Sequence, residues 1–160
     1  LEVVELTNSL IYINNSTFVG CENLRDITIP ESVIKIGNSA FDGCISLKSI
    51  TIPKNVEKID NIAFGDCKSL ENVNIKNGSI EIGHEAFYNC SSLASITIPE
   101  SVTSIGQNAF YKCSSLTNIT YKGTKEQWNN INKSMASSGK VDWCDSTLKT
   151  ITCTDGVITL

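Results

Sequence analysis

The chain repeats itself every 23 residues, and that period constrains the fold before any local reading of secondary structure. "SAFDGCISLKSITIP" (39–53) returns as "EAFYNCSSLASITIP" (85–99), with Phe, Cys, Leu, Ile and Pro in the same order. Cys21, Cys44, Cys67, Cys90 and Cys113 form one column of the repeat, and Phe18, Phe41, Phe64, Phe87 and Phe110 form another. Leu24, Leu47, Leu70, Leu93 and Leu116 each follow a cysteine by three residues. Two mainly β-branched columns come next: Ile27, Ile50, Val73, Ile96 and Ile119, then Ile29, Ile52, Ile75 and Ile98, closed by Tyr121. Val4, Leu6, Leu10 and Ile13 make an incomplete leading set.

One such unit cannot stand alone, because ordering its backbone costs more conformational entropy than burying its few apolar side chains returns. Stacked units share buried faces and add ladder hydrogen bonds, which is the physical basis of a solenoid. In "KSITIP" (48–53), Ile50 and Ile52 alternate with Ser49 and Thr51, the period of a strand that is apolar inside and polar outside. Pro30, Pro53 and Pro99 lack a donor N–H and are expected to stop every strand at one height. Asn14, Gly37, Asp60, Gly83 and Gly106 form one further column, and Gly20, Gly43, Asp66, Asn89 and Lys112 another. Lys112 apart, these residues tolerate positive φ, so two corners per winding are expected there.

The order Cys44, Leu47, Ile50, Ile52, Pro53, Val56, Ile59, Asp60, Ala63 and Phe64 resembles the leucine-rich repeats of the BspA-like (Treponema pallidum type) class, over about residues 4–121. "YKGTKEQW" (121–128) and "ITCTDGVI" (151–158) resemble the segment that closes such arrays. The resemblance implies a leucine-rich repeat solenoid, a right-handed superhelix with parallel β-strands on one face and short turns or strands opposite. It implies an array over 1–121 and a small helix-containing C-terminal cap over 122–160. Two departures stand out: Asp60 replaces the usual Gly, and the fourth unit has Lys76 for Pro and Ser79 for Val, where a looser turn is expected.

In the cap, Thr124 and Gln127 have the spacing of a reciprocal capping box. Trp128, Ile131 and Met135 then fall on one helical face, predicting a helix that lids the last coil. A polar loop through 136–140 leads to a final strand at Ile151 and Cys153, with Asp155-Gly156 turning a hairpin. The N-terminus shows no comparable lid, and we expect the segment to continue a longer array, since a bare apolar end is sticky.

Composition excludes several classes of function. With 13 basic against 17 acidic residues and a net charge of -4, the chain has no electrostatic footprint for nucleic acid. No apolar run is long enough for a membrane span, so no membrane insertion is expected. The seven cysteines include no C-x-x-C pair, which argues against a metal site. The single histidine, His84, lies in a polar column with Asn15, Asn38, Asn61 and Gln107 and reads as a solvent-facing corner residue, not a catalytic base. Neither a carboxylate pair nor a phosphate loop nor a triad is apparent; the chain reads as non-enzymatic, without cofactor or metal. We read the cysteine column as buried, reduced thiols acting as small hydrophobes, and Cys144 with Cys153 as the best candidates for a disulfide.

Function in such a fold falls to the outward columns of the strands. Here these are Asp26, Ser49, Asn72, Ser95 and Asn118, then Thr28, Thr51, Asn74, Thr97 and Thr120, flanked by Arg25, Lys48 and Glu71. Tyr88 and Tyr111 share a column on the opposite corner and form a secondary patch, suited to stacking on a sugar or peptide or to shielding a turn. The family resemblance implies a cell-surface or secreted protein acting in adhesion or protein binding, with a host matrix or surface protein or a glycan as partner. A passive spacer displaying another domain is the alternative.

Overall fold

Each repeat is one winding of a coil, and successive windings lie one on the next in the computed structural model, which describes residues 2–78, 80–133, 143–145 and 147–160. The windings contribute β1 (Val3–Glu5) and β2 (Tyr12–Ile13), β3 (Asp26–Thr28) and β4 (Lys35–Ile36), then β5 (Ser49–Ile52) and β6 (Lys58–Ile59). Next come β7 (Asn72–Ile75) and β8 (Ile80–Ile82), and β9 (Ser95–Ile98) and β10 (Val102–Ile105). The chain closes with β11 (Asn118–Tyr121), α1 (Lys125–Asn130), β12 (Asn132–Lys133), β13 (Thr150–Cys153) and β14 (Gly156–Thr159). The odd-numbered strands up to β13 form the strand face, and the even-numbered strands from β2 to β12 form a second, narrower parallel sheet.

Register follows the sequence period. Ser49 stands beside Asn72 and Asn72 beside Ser95, while Ile36 stands beside Ile59 and Ile59 beside Ile82. Leu47, Leu70 and Leu93 are fully buried, and each donates its N–H to the carbonyl of the cysteine three residues earlier. The phenylalanines stack along the axis, with ring centroids 5.1, 5.0, 5.4 and 5.5 Å apart from Phe18 to Phe110. In this core the apolar columns cover one another, as the magnitude of side-chain burial requires.

The cysteine column has a second role beyond filling space. The thiols of Cys44, Cys67, Cys90 and Cys113 each donate to the carbonyl of a phenylalanine in the preceding winding, at 3.1 to 3.2 Å. Phe18, Phe41 and Phe87 therefore accept two donors, the N–H of their own winding's cysteine and the S–H of the next. Burial pushes the Cys44 thiol up to about 12, and Cys90 is raised for the same reason. Cys21, the first of the column, is only half-buried. All seven cysteines are free, Cys144 and Cys153 included.

The corners differ from expectation at one column. Gly20, Gly43, Asp66, Asn89 and also Lys112 have positive φ, but the other positive-φ column is Ser16, Ser39, Ile62, Glu85 and Asn108, two residues beyond the one anticipated. Glycine is present at 37, 83 and 106 because windings approach closely there: a Cβ on Gly106 would lie 2.6 Å from the Gly83 carbonyl carbon. Ile62, β-branched at φ 57, is strained. Gly65 makes room for it, since a Cβ there would meet Ile62 Cγ2 at 2.6 Å.

Proline is not what stops the strands. β7 and β11 end at the same height as β5 and β9 although Lys76 and Lys122 follow them, and both lysines donate their N–H to the preceding winding. The turn after Lys76 is closely packed, not loose: Gly78 donates to Ser101 Oγ, and a Cβ on it would lie 1.9 Å from Lys54 O. Ser79 lies outside the described residues.

The last winding carries the helix. The capping box is present, with Thr124 Oγ1 accepting from the Gln127 N–H and Gln127 Oε1 from the Thr124 N–H. The helix stops at Asn130, however, and Ile131 turns to an extended backbone so that β12 can pair with β10. The Lys133 ammonium donates to the Ile131 carbonyl and to the Trp128 carbonyl, which also accepts the Ile131 N–H, and it lies over the Trp128 ring. Met135 and the expected loop at 136–140 lie outside the described residues. Trp143 completes the Phe column edge-on to Phe110, whose N–H it accepts, and β13 and β14 extend the strand face through the expected hairpin.

Candidate binding surface

The strand alternation sets the surface. In β5 and β7 the inward Ile50, Ile52, Val73 and Ile75 are buried, while Ser49, Thr51, Asn72 and Asn74 are exposed. Parallel register aligns Thr51, Asn74, Thr97, Thr120 and Thr152 in one row across five strands. Arg25, Lys48 and Glu71 flank it, exposed. Thr97, Asn118 and Thr120 are half-buried. Thr150 and Thr152, which sequence reasoning missed, extend the Asn118 row and the Thr120 row respectively, and both donate to Asn118 Oδ1, at 2.8 and 3.0 Å. Ser95 likewise donates to Asn72 Oδ1 at 2.9 Å.

The face is not uniform. Ladders run without a break from β5 to β14, and β1 is joined to β3, but among the described residues no ladder joins β3 to β5. A cleft of about 410 Å³ lies at this break, with Asp26, Thr28, Ser49 and Thr51 on its lips, Ile27 and Ile50 beneath, and Pro30 and Pro53 at one end. Lys76 reaches across Pro53 to Glu31, Nζ to Oε1 at 2.8 Å, spanning two windings at that end. The hydrogen bond from Lys76 holds the Glu31 carboxyl below the usual range. Lys76 is recognisable in the sequence as a departure from the Pro column; its partner 45 residues away is not.

Tyr88 and Tyr111 are adjacent, with centroids 6.1 Å apart and rings tilted by 31°. The Lys112 ammonium donates to the Tyr88 hydroxyl at 2.6 Å and lies 5.0 Å from its ring centroid. His84 sits at a corner, 3.5 Å from Glu85. Among the described residues no group of three or more His, Cys, Asp or Glu side chains gathers to hold a metal, and no helix is long and apolar enough to cross a membrane.

Two windings' worth of columns suffice to define the class, and comparison places the chain within it. The family model for the BspA type leucine rich repeat region (6 copies) matches residues 1–117 and 36–159, and the chain belongs to that family. A T. pallidum leucine rich repeat protein of known crystal structure is 32% identical, over 74% of this chain and 58% of its own, with a TM-score of 0.70. A leucine rich cell surface protein from Faecalibacterium prausnitzii A2-165 is 28% identical over 84% of this chain and 36% of its own, with a TM-score of 0.56. The pneumococcal vaccine antigen PcpA, at 20% identity, shares the fold over 96% of this chain and 36% of its own, with a TM-score of 0.75. The chain thus spans between about a third and three fifths of these proteins' lengths. No curated protein matches it.

Proposed function

We propose that the chain is a non-enzymatic protein-binding or adhesion module of a cell-surface or secreted protein, with the strand face as its contact surface. The observation that carries this reading is the aligned set of outward side chains on a parallel sheet, whose first row changes through Asp26, Ser49, Asn72, Ser95 and Asn118 while the core columns stay apolar. Such a face offers many positions to a partner without cost to the core. Two similar proteins are described as a cell surface protein and a vaccine antigen, which favours display outside the cell. A host matrix or surface protein, or a glycan, is the partner class.

A second reading, a spacer that sets the reach of another domain, is favoured by the pairing of Asn72 with Ser95 and of Asn118 with Thr150 and Thr152, which satisfies polar groups within the face itself. Arg25 alone among the strand-face contact residues is of a type enriched in binding hot spots. The two readings separate in an adhesion assay on immobilised extracellular-matrix protein, comparing the chain with a variant carrying Ala at Asn72, Asn74, Ser95 and Thr97. Loss of adhesion supports the binding face; unchanged adhesion supports the spacer.

A further inference from the structure

We infer that the corner carrying Tyr88 and Tyr111 is a binding site for a neutral glycan. This rests on the reading of the chain as a binding module, takes the glycan from among its partner classes and places it off the strand face. The two tyrosines belong to a column of the repeat that runs Val19, Asp42, Gly65, Tyr88 and Tyr111. The corner beside this column has one backbone form throughout: Gly20, Gly43, Asp66, Asn89 and Lys112 all have φ between 51° and 73°. The N–H groups of the first four each donate to the next winding, at 2.7 to 2.9 Å. The same corner forms beside Val, Asp and Gly as beside Tyr, so it needs no aromatic ring to shield it. Tyr111 is nonetheless 40% exposed next to Tyr88. Two adjacent rings that the turn does not require are free to serve a ligand.

The surroundings specify that ligand's chemistry. Next to Tyr88 the column has no side chain at Gly65, and Asp42 leans into that level: a Cβ on Gly65 would lie 2.9 Å from Asp42 Oδ1. Burial and the nearby Asp66 charge hold the Asp42 carboxyl above the usual range, so two carboxylates share this end of the site. Asp66 Oδ1 accepts from the Asn89 amide at 2.6 Å and lies 3.9 Å from the Lys68 ammonium. At the other end the Lys112 ammonium holds the Tyr88 hydroxyl and stands 5.0 and 6.0 Å from the Tyr88 and Tyr111 ring centroids. The place a cationic ligand would take over the rings is thus already filled. A cation would meet Lys68 and Lys112, and an anion would meet Asp42 and Asp66.

A neutral ligand remains, with an apolar face for the rings and hydroxyl donors for the carboxylates. A pyranose has both, with C–H bonds on its faces and hydroxyls round its rim. Size agrees. Two tyrosine rings offer at most about 300 to 500 Å², short of the roughly 800 Å² that each side of a stable protein interface buries.

The test is a titration of the isotopically labelled chain with the neutral tetrasaccharides cellotetraose, chitotetraose and mannotetraose, read by amide and tyrosine-ring chemical shifts. We expect at least one of them to give saturable shifts confined to Asp42, Gly65, Asp66 and residues 88–89 and 111–112. A heparin tetrasaccharide should bind roughly ten-fold more weakly or not at all. Tyr111→Ala should weaken the sugar roughly ten-fold or more with the urea midpoint unchanged, while Tyr111→Phe, which keeps the ring, should stay within about three-fold. No shift with any of the neutral sugars, equal binding of the heparin fragment, binding undiminished in Tyr111→Ala or a fall in that variant's urea midpoint would overturn the inference. So would corner shifts produced by a deglycosylated matrix protein and by no sugar. The variant with Ala at Asn72, Asn74, Ser95 and Thr97 should keep the corner shifts; sugar shifts on those rows instead, lost in that variant, would sink the corner alone. Adhesion retained in the variant with the corner shifts intact would sink the strand face and leave the corner.

Discussion

Replacing Cys67 separates what a recurring cysteine contributes from what any small apolar residue would. The side chain is fully buried, and its Sγ donates to Phe41 O at 3.2 Å, a carbonyl that already accepts the Cys44 N–H at 3.1 Å. Alanine removes a weak S–H···O bond, worth about 0.5 to 1 kcal/mol. It also removes the burial of one methylene-sized group, worth about 0.8 kcal/mol, and leaves a void. We expect a total loss of about 2 kcal/mol, with the void supplying the remainder. Serine keeps a donor, but on a shorter bond and at the cost of burying a hydroxyl, so it should cost at least as much as alanine. Cys21 heads the column half-exposed and its Sγ makes no hydrogen bond among the described residues, so Cys21→Ala should fall within about 0.5 kcal/mol of wild type. Urea denaturation followed by Trp128 and Trp143 fluorescence reads all three from midpoints at constant slope. Serine matching cysteine, or Cys21→Ala costing as much as Cys67→Ala, would refute the reasoning.

Phe64 is stacked between Phe41 and Phe87, so Phe64→Ala should cost about 3 to 5 kcal/mol in the same urea assay by opening a cavity between windings. Ile62 adopts a left-handed backbone, and Ile62→Asn, the residue found at the equivalent Asn108, should raise the urea midpoint by the equivalent of about 1 kcal/mol. Asp60 is held below its ordinary value of 3.8: burial alone would raise it, but the Lys35 hydrogen bond, the Asn61 N–H and the Lys58 charge outweigh that. A carboxyl depressed in the folded state contributes stability above its unfolded value and loses it as pH falls through the folded one. Asp60→Asn should therefore destabilise at neutral pH, with the penalty shrinking as pH falls below the ordinary value of 3.8, checked by urea midpoints across pH.

Much of the architecture was legible in the residues themselves. The period, the inward and outward columns, the stacked Phe and Leu rows and the Thr124–Gln127 cap all follow from spacing, because a solenoid's contacts are between like positions of neighbouring windings. The strand-face residues were legible for the same reason: period-2 alternation about buried Ile50 and Ile52 fixes which neighbours point outward. The corner column was misplaced because residue type was taken as the guide to positive φ, whereas Ile62 and Glu85 are forced into that conformation by bonds to the next winding, Ile62 N–H to His84 O and Glu85 N–H to Gln107 O. The helix was expected to reach Met135, yet it yields at Ile131, where continuing the second sheet through β12 prevails over local propensity.

A repeating pattern of apolar side chains, too few to order one unit alone, left this chain no course but to stack, and that much was determined by the sequence itself. Tertiary structure decided the features that depend on how one winding differs from its neighbour. Thiols of four windings meet phenylalanine carbonyls of the windings before them, Lys76 reaches over Pro53 to Glu31, and no ladder joins β3 to β5 among the described residues. Period sets which residues are stacked; the spacing between windings on each side of the coil is set by the sum of all their contacts, which no single column records.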